Sequence, residues 1–161
     1  MSLSIIFLYA ATGIVAGFLA GLFGVGGGLI IVPALMYCFF LQGFDPAVSM
    51  HIAIGTSLAT IILTSISSAQ AHHAHGAVQW PIVKRMVFGI FMGALLGALL
   101  AKNLRAEALK TIFALFEIFV AFKLLSSAKA ALRTYHLPGN IGLTSVAILI
   151  SIVSALVGIG G

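Results

Sequence analysis

Ala20-Gly21-Leu22-Phe23-Gly24-Val25-Gly26-Gly27-Gly28-Leu29-Ile30-Ile31-Val32-Pro33 is the stretch on which the reading of this chain turns. Upstream of it, Ile5 to Phe23 is an unbroken apolar run, close to the roughly 20 residues a helix needs to cross a hydrocarbon core of about 30 Å. Gly24, Gly26, Gly27 and Gly28 then interrupt it, because each glycine weakens a helix by about 1 kcal/mol relative to alanine. Apolar sequence resumes from Leu29 to Leu41, with Pro33 inside it. The pattern predicts a broken or re-entrant helix. Its glycine hinge leaves N–H groups free, and they can face an anion together with the positive start of the helix at Leu29. The spacing is not that of a soluble nucleotide loop: no third glycine follows at the dinucleotide offset and no Gly-Lys-Ser/Thr occurs.

The rest of the chain asks for the same solvent. Of its 161 residues, 61% are hydrophobic and 7% charged, whereas a soluble domain runs at roughly 45–50% and about 25%. Eight Lys and Arg with three Asp and Glu are too few to hydrate a water-soluble fold of this size. A lipid bilayer is therefore the expected surrounding. Neither a basic start nor a small-residue cleavage site marks the first apolar run as a removable signal, so it reads as a retained span. The net charge of +5 comes from cations that all lie from Lys84 onward, none interleaved with aromatics, and nucleic acid is not an expected partner. Cys38 is the lone cysteine and can form no internal disulfide.

Further spans follow from the same reasoning. Asp45-Pro46 suits a helix start, since Asp accepts from a free N–H and Pro fits the first helical position. Ala47 to about Ala71 follows as a span, then a polar, turn-like stretch from His72 to Trp80, then Ile82 to Ala101. Lys102 to Lys110 reads as a charged connector, Thr111 to Leu125 as apolar apart from Glu117 and Lys123, Ser126 to Asn140 as a basic loop, and Ile141 to Val157 as a last span. Continuous apolar runs with small residues at helical spacing exclude a barrel of alternating strands. The predicted fold class is all-α, a polytopic transmembrane helical bundle. Basic residues on successive loops leave its orientation open.

Leu22-Phe23-Gly24-Val25-Gly26-Gly27 returns as Leu156-Val157-Gly158-Ile159-Gly160-Gly161, 134 residues later, with four of six positions identical. Each copy closes an apolar span led by small residues. The expected organisation is a first repeat over residues 1–140 and the truncated start of a second over 141–161. Secondary transporters are often built from such paired repeats, with substrate near the midplane between discontinuous helices.

The quoted glycine stretch resembles the signature of the TauE/SafE-type sulfite exporters. Ala53-Ile54-Gly55-Thr56-Ser57-Leu58 is similar to that family's second motif, and Ser68 to Trp80 with Gly93-Ala94-Leu95-Leu96-Gly97-Ala98 to its third region. The resemblance covers essentially the whole chain. It implies a multi-pass protein of the bacterial inner (plasma) membrane, built as two repeats and exporting small sulfur-containing anions such as sulfite or organosulfonates. It implies a small anionic substrate, no cofactor, no enzymatic activity, and completion by a second repeat or a second copy. The competing reading is a membrane assembly subunit that transports nothing.

The candidate substrate site comprises Gly24, Gly26, Gly27, Gly28, Pro33, Thr56 and Ser57. The hydroxyls of Thr56 and Ser57 can bond an oxyanion or bond back to the preceding helical turn. Glu117, the one acid deep in a span, is a candidate for proton coupling. Gly89, Gly93 and Gly97 recur every fourth residue and predict close approach of another helix. His72, His73 and His75 cluster, but without Cys, Asp or Glu nearby no metal site is expected, which speaks against a metalloenzyme.

Overall fold

The computed structural model of the protein describes residues 3–23, 26–126 and 139–159. Gly24 and the Ser126–Asn140 loop between 127 and 138 lie outside the described residues, as do Gly160 and Gly161. Among the described residues the chain forms α1 (Leu3–Phe23), α2 (Gly28–Leu41), α3 (Pro46–Ala74), α4 (Trp80–Asn103), α5 (Ala106–Ser126) and α6 (Asn140–Val157), with no strand. The all-α expectation holds. Among the described residues three helices are long and apolar enough to cross a membrane: α1 over Ile5–Leu22, α3 over Pro46–Ala74 and α4 over Trp80–Asn103.

Of the two arrangements the glycine run allows, the structure has a hairpin. Gln42 Nε2 donates to the Tyr9 hydroxyl at 2.8 Å, Thr12 Oγ1 lies 3.6 Å from Cys38 Sγ, and Ala16 and Leu19 share a groove with Ile30 and Ala34. Numbers that rise on α1 fall on α2, so the two helices are antiparallel. The chain reverses through Gly26, whose φ of +82° few residues other than glycine accept. With 14 residues, α2 is about 21 Å long and falls short of a hydrocarbon core of about 30 Å. Pro33 sits inside α2 and does not break it, although its missing N–H leaves the Leu29 carbonyl without the usual helical donor.

A turn stacked on Phe39 and Phe44, centroids 4.8 Å apart, leads into α3. Asp45 caps that helix by accepting from Ala47 N at 2.9 Å, with Pro46 at its first position. The helix runs three residues beyond Ala71, so His72 and His73 are helical rather than part of a turn. His75 Nδ1 donates to the Ala71 carbonyl at 2.7 Å, which holds the helix end together.

The glycine stripe of α4 packs as its spacing predicted. A Cβ on Gly89 would stand 2.7 Å from Thr144 O, one on Gly93 would overlap Ile148 O, and one on Gly97 would stand 2.7 Å from Ala155 Cβ. Only a bare backbone lets α6 sit this close. The numbers rise together, so α4 and α6 run parallel. The core draws on α2 (Val32, Leu35, Phe39), α3 (Met50, Ala53, Ile54) and α5 (Leu109, Phe113), and the fully buried Val157 at the end of α6 joins it. The last turn of α6 thus ends inside the fold of the helices that precede it.

Candidate functional site

The centre of the fold is where the glycine hinge meets its own repeat. Gly158 closes α6 in the left-handed region, at φ +76°. The N–H groups of Gly158 and Ile159 both donate to Ser154 O, at 2.8 and 3.1 Å, and the Gly158 carbonyl accepts from Ser57 Oγ at 2.8 Å. Ser57 is fully buried. On the other side, a Cβ on Gly28 would overlap Gly158 O and stand 2.6 Å from Ile159 Cα, and one on Gly26 would stand 3.4 Å from Ile159 Cγ2. Backbone therefore lies against backbone where the first hinge touches the segment related to it by the 134-residue repeat.

This places the residues singled out from the sequence unequally. Gly26, Gly27, Gly28 and Ser57 come together at the hinge contact, with Gly27 accepting from Ile30 N and Ile31 N at 3.1 and 2.8 Å. Among the described residues nothing accepts from the N–H groups of Gly28 and Leu29, which open α2 without a side-chain cap. Ser57 spends its single hydroxyl proton on Gly158, so it holds the end of α6 rather than pointing a free donor at a ligand. Thr56 is exposed, as is Pro33, and neither shares the hinge contact. Glu117 is half-buried on α5 and shares a groove of about 280 Å³ with Leu29, beside the start of α2.

A second feature was not visible as a constellation in the sequence. Between α3 and α4 lies a cavity of about 490 Å³ whose lining includes His51, Ile54, Lys102, Leu109, Ser151 and Ser154. His51 Nε2 is 3.1 Å from Ala101 O and 3.2 Å from Leu104 O. Both partners only accept, so Nε2 carries the hydrogen and Nδ1 is left for another group. Ser151 is 6% exposed, and its hydroxyl has no partner among the described residues. The walls are apolar, while Lys102 and His51 gather at one end. Ile54 lines this cavity and also stands 3.3 Å from where a Cβ on Gly158 would be, so the cavity abuts the hinge contact. The only sequence signals were a histidine and a lysine near the ends of apolar spans, 51 residues apart. The histidine cluster at the end of α3 is exposed, with His73 edge-on to Trp80 at 5.5 Å. Among the described residues no three His, Cys, Asp or Glu side chains are grouped to hold a metal.

The family model for the sulfite exporter TauE/SafE matches residues 9–161. The chain belongs to that family. Members are transporters rather than enzymes, and the protein is a multi-pass membrane protein. Among its relatives, a "probable membrane transporter protein" of Haemophilus influenzae is 38% identical over 97% of this chain and 59% of its own length. The "probable membrane transporter protein YunE" of Bacillus subtilis is 29% identical over 92% of this chain and 61% of its own. The chain thus spans about three fifths of the length of these TauE/SafE relatives. No solved structure matches it.

Proposed function

We propose that the full-length protein is a secondary transporter that exports small sulfur-containing anions, sulfite or organosulfonates, across the bacterial inner membrane. The observation that carries this reading is the contact of the two repeat-related hinges, Gly26–Gly28 against Gly158–Ile159, inside the core. Paired interrupted segments at matching places in two repeats mark the substrate region of such transporters. N–H groups at the start of α2 suit an oxyanion without a buried cation. In this reading Gly24, Gly26, Gly27 and Gly28 form the hinge, Ser57 fixes the opposing one, and Thr56 and Pro33 meet the substrate or the second repeat from the exposed face. The α3–α4 cavity supplies the approach, with Lys102 and His51 attracting the anion at its end and Ser151 offering a donor along its wall. Glu117, next to Leu29, couples transport to a proton.

Efflux of sulfite from liposomes holding the full-length protein tests this. Gly28→Ala forces the Gly158–Ile159 backbone away from the start of α2, and an overpacking cost of about 1–3 kcal/mol borne by the moving contact corresponds to a loss of flux of about tenfold. Gly27→Ala meets only the tip of Ile31, at 3.1 Å, and should transport nearly as well as the unaltered protein. Equal flux in all three, with the proteins equally folded, removes the hinge from the mechanism.

A further inference from the structure

The repeat extends beyond the glycine motif. At the same 134-residue offset, the α6 residues seated on the α4 stripe, namely Thr144, Ala147, Ile148, Ser151, Ile152 and Ala155, correspond to Ala10, Gly13, Ile14, Gly17, Phe18 and Gly21 of α1. The small positions stay small and the two bulky ones stay bulky. On α6 these residues are buried or half-buried against α4. On α1 all six are exposed, Ile14 at 73% and Phe18 at 69%, and a Cβ built on Gly13, Gly17 or Gly21 meets nothing within 4 Å. The face of α1 that packs on α2 is a different one, carried by Tyr9, Thr12 and Ala16. Three glycines at fourth-residue spacing weaken α1 relative to alanine, and among the described residues no close contact makes use of them.

We infer that this face of α1 is the docking surface for the helix that stands in the place of α4 in the second repeat of the full-length protein. The contact is the repeat image of α6 on α4: a parallel, close-approach crossing of two helices whose small residues face each other. The occupant therefore has small residues at every fourth position, like Gly89, Gly93 and Gly97. The relatives are longer than the stretch this chain matches, which leaves room for such a helix. The consequence is an exchange of helices: α6 inserts its hinge into the first set of helices, and α1 packs on the second. This goes beyond the transport reading and does not depend on which anion moves.

The test uses the full-length protein in its native membrane with Phe18 replaced by the photo-reactive p-benzoylphenylalanine, followed by mass spectrometry of the cross-linked peptides. The expected product is an intramolecular cross-link, with no change in oligomer mass, to a peptide of the second repeat that aligns with residues 89–97. Cross-links to lipid alone, to a second copy, or to α2–α5 of the same chain overturn the inference. Independently, Gly17→Leu should lower the thermal midpoint of the full-length protein by several degrees even though this chain offers the new side chain open space. An unchanged midpoint also overturns it. Neither readout involves flux, so transport can fail or succeed separately.

Discussion

Replacing Gly93 by alanine tests whether α6 is held by direct backbone contact with α4. A Cβ there would overlap the Ile148 carbonyl oxygen and stand 2.7 Å from Ser151 Cβ and 2.9 Å from Ile148 Cα. Non-bonded carbons rest about 3.5–4.0 Å apart, so α6 has to withdraw by about 1 Å. The atoms in the way are backbone and Cβ atoms, so no rotamer change relieves them. Overpacking of this kind costs about 1–3 kcal/mol, while alanine returns about 1 kcal/mol of helix propensity. The net expectation for Gly93→Ala is destabilisation of up to about 2 kcal/mol, and for Gly93→Leu a larger loss, because leucine adds bulk with no further gain in propensity. At about 2–4 °C per kcal/mol, the alanine variant should unfold up to about 8 °C lower. Thermal unfolding of the full-length protein in lipid nanodiscs reads this directly. Gly55 is the matched control, a helical glycine whose Cβ would meet nothing within 4 Å, and Gly55→Ala should be stabilising by up to about 1 kcal/mol. A Gly93→Leu midpoint no lower than that of the unaltered protein refutes the argument that close approach fixes α6.

The remaining expectations concern the hinge, the cavity and the carboxylate. Ser57→Ala removes the donor to Gly158 and should destabilise by about 1–3 kcal/mol, because a buried carbonyl loses its partner; Ser57→Thr, which keeps the hydroxyl, should recover part of that in the same unfolding assay. Lys102→Gln should weaken anion binding by about tenfold, the loss of one charge-assisted contact, when benzenesulfonate is titrated calorimetrically into the full-length protein, whereas equal affinity would take Lys102 off the path. Glu117→Gln should leave benzenesulfonate affinity intact and abolish the response of sulfite flux to an imposed proton gradient; a retained response assigns coupling elsewhere.

Much of the fold could be read because membrane helices announce themselves one at a time. The apolar runs marked α1, α3 and α4 without reference to any neighbour, the Asp45-Pro46 pair marked the start of α3, and the glycines at 89, 93 and 97 marked the face on which another helix sits. What the stripe could not say was which helix, because packing partners are a property of the assembled bundle. The same limit explains the hydroxyl pair. Thr56 and Ser57 are neighbours in sequence, but consecutive helical residues point about 100° apart, so the turn that buries Ser57 exposes Thr56. The partner of Ser57 lies 101 positions away, and no local pattern encodes it. His51 and Lys102 were equally silent, since each is unremarkable alone and only the antiparallel run of α3 and α4 brings them to one end of a cavity.

In the proposed transporter, the hinge contact links stability to movement in a definite way. Gly158 is held at four points: its N–H by Ser154, its carbonyl by Ser57 on one side and against Gly28 on another, and its Cα against Ile54. The 2.8 Å bond from Ser57 has only a few tenths of an ångström of slack before it passes the range of a good hydrogen bond. Rigid-body displacement of α6, which rides on the α4 stripe, therefore cannot leave the hinge where it is. Either Ser57 lets go of Gly158, or α3 follows α6 and takes its wall of the cavity along. In the first case access to the cavity and the state of the hinge are independent, and Ser57→Ala changes stability but not the rate of transport. In the second they are one event, and the same variant slows transport by more than its effect on the amount of folded protein. With the hinge packed in a core formed by α2, α3 and α5, the second follows from close packing, because well-packed interiors pass displacement on rather than absorb it.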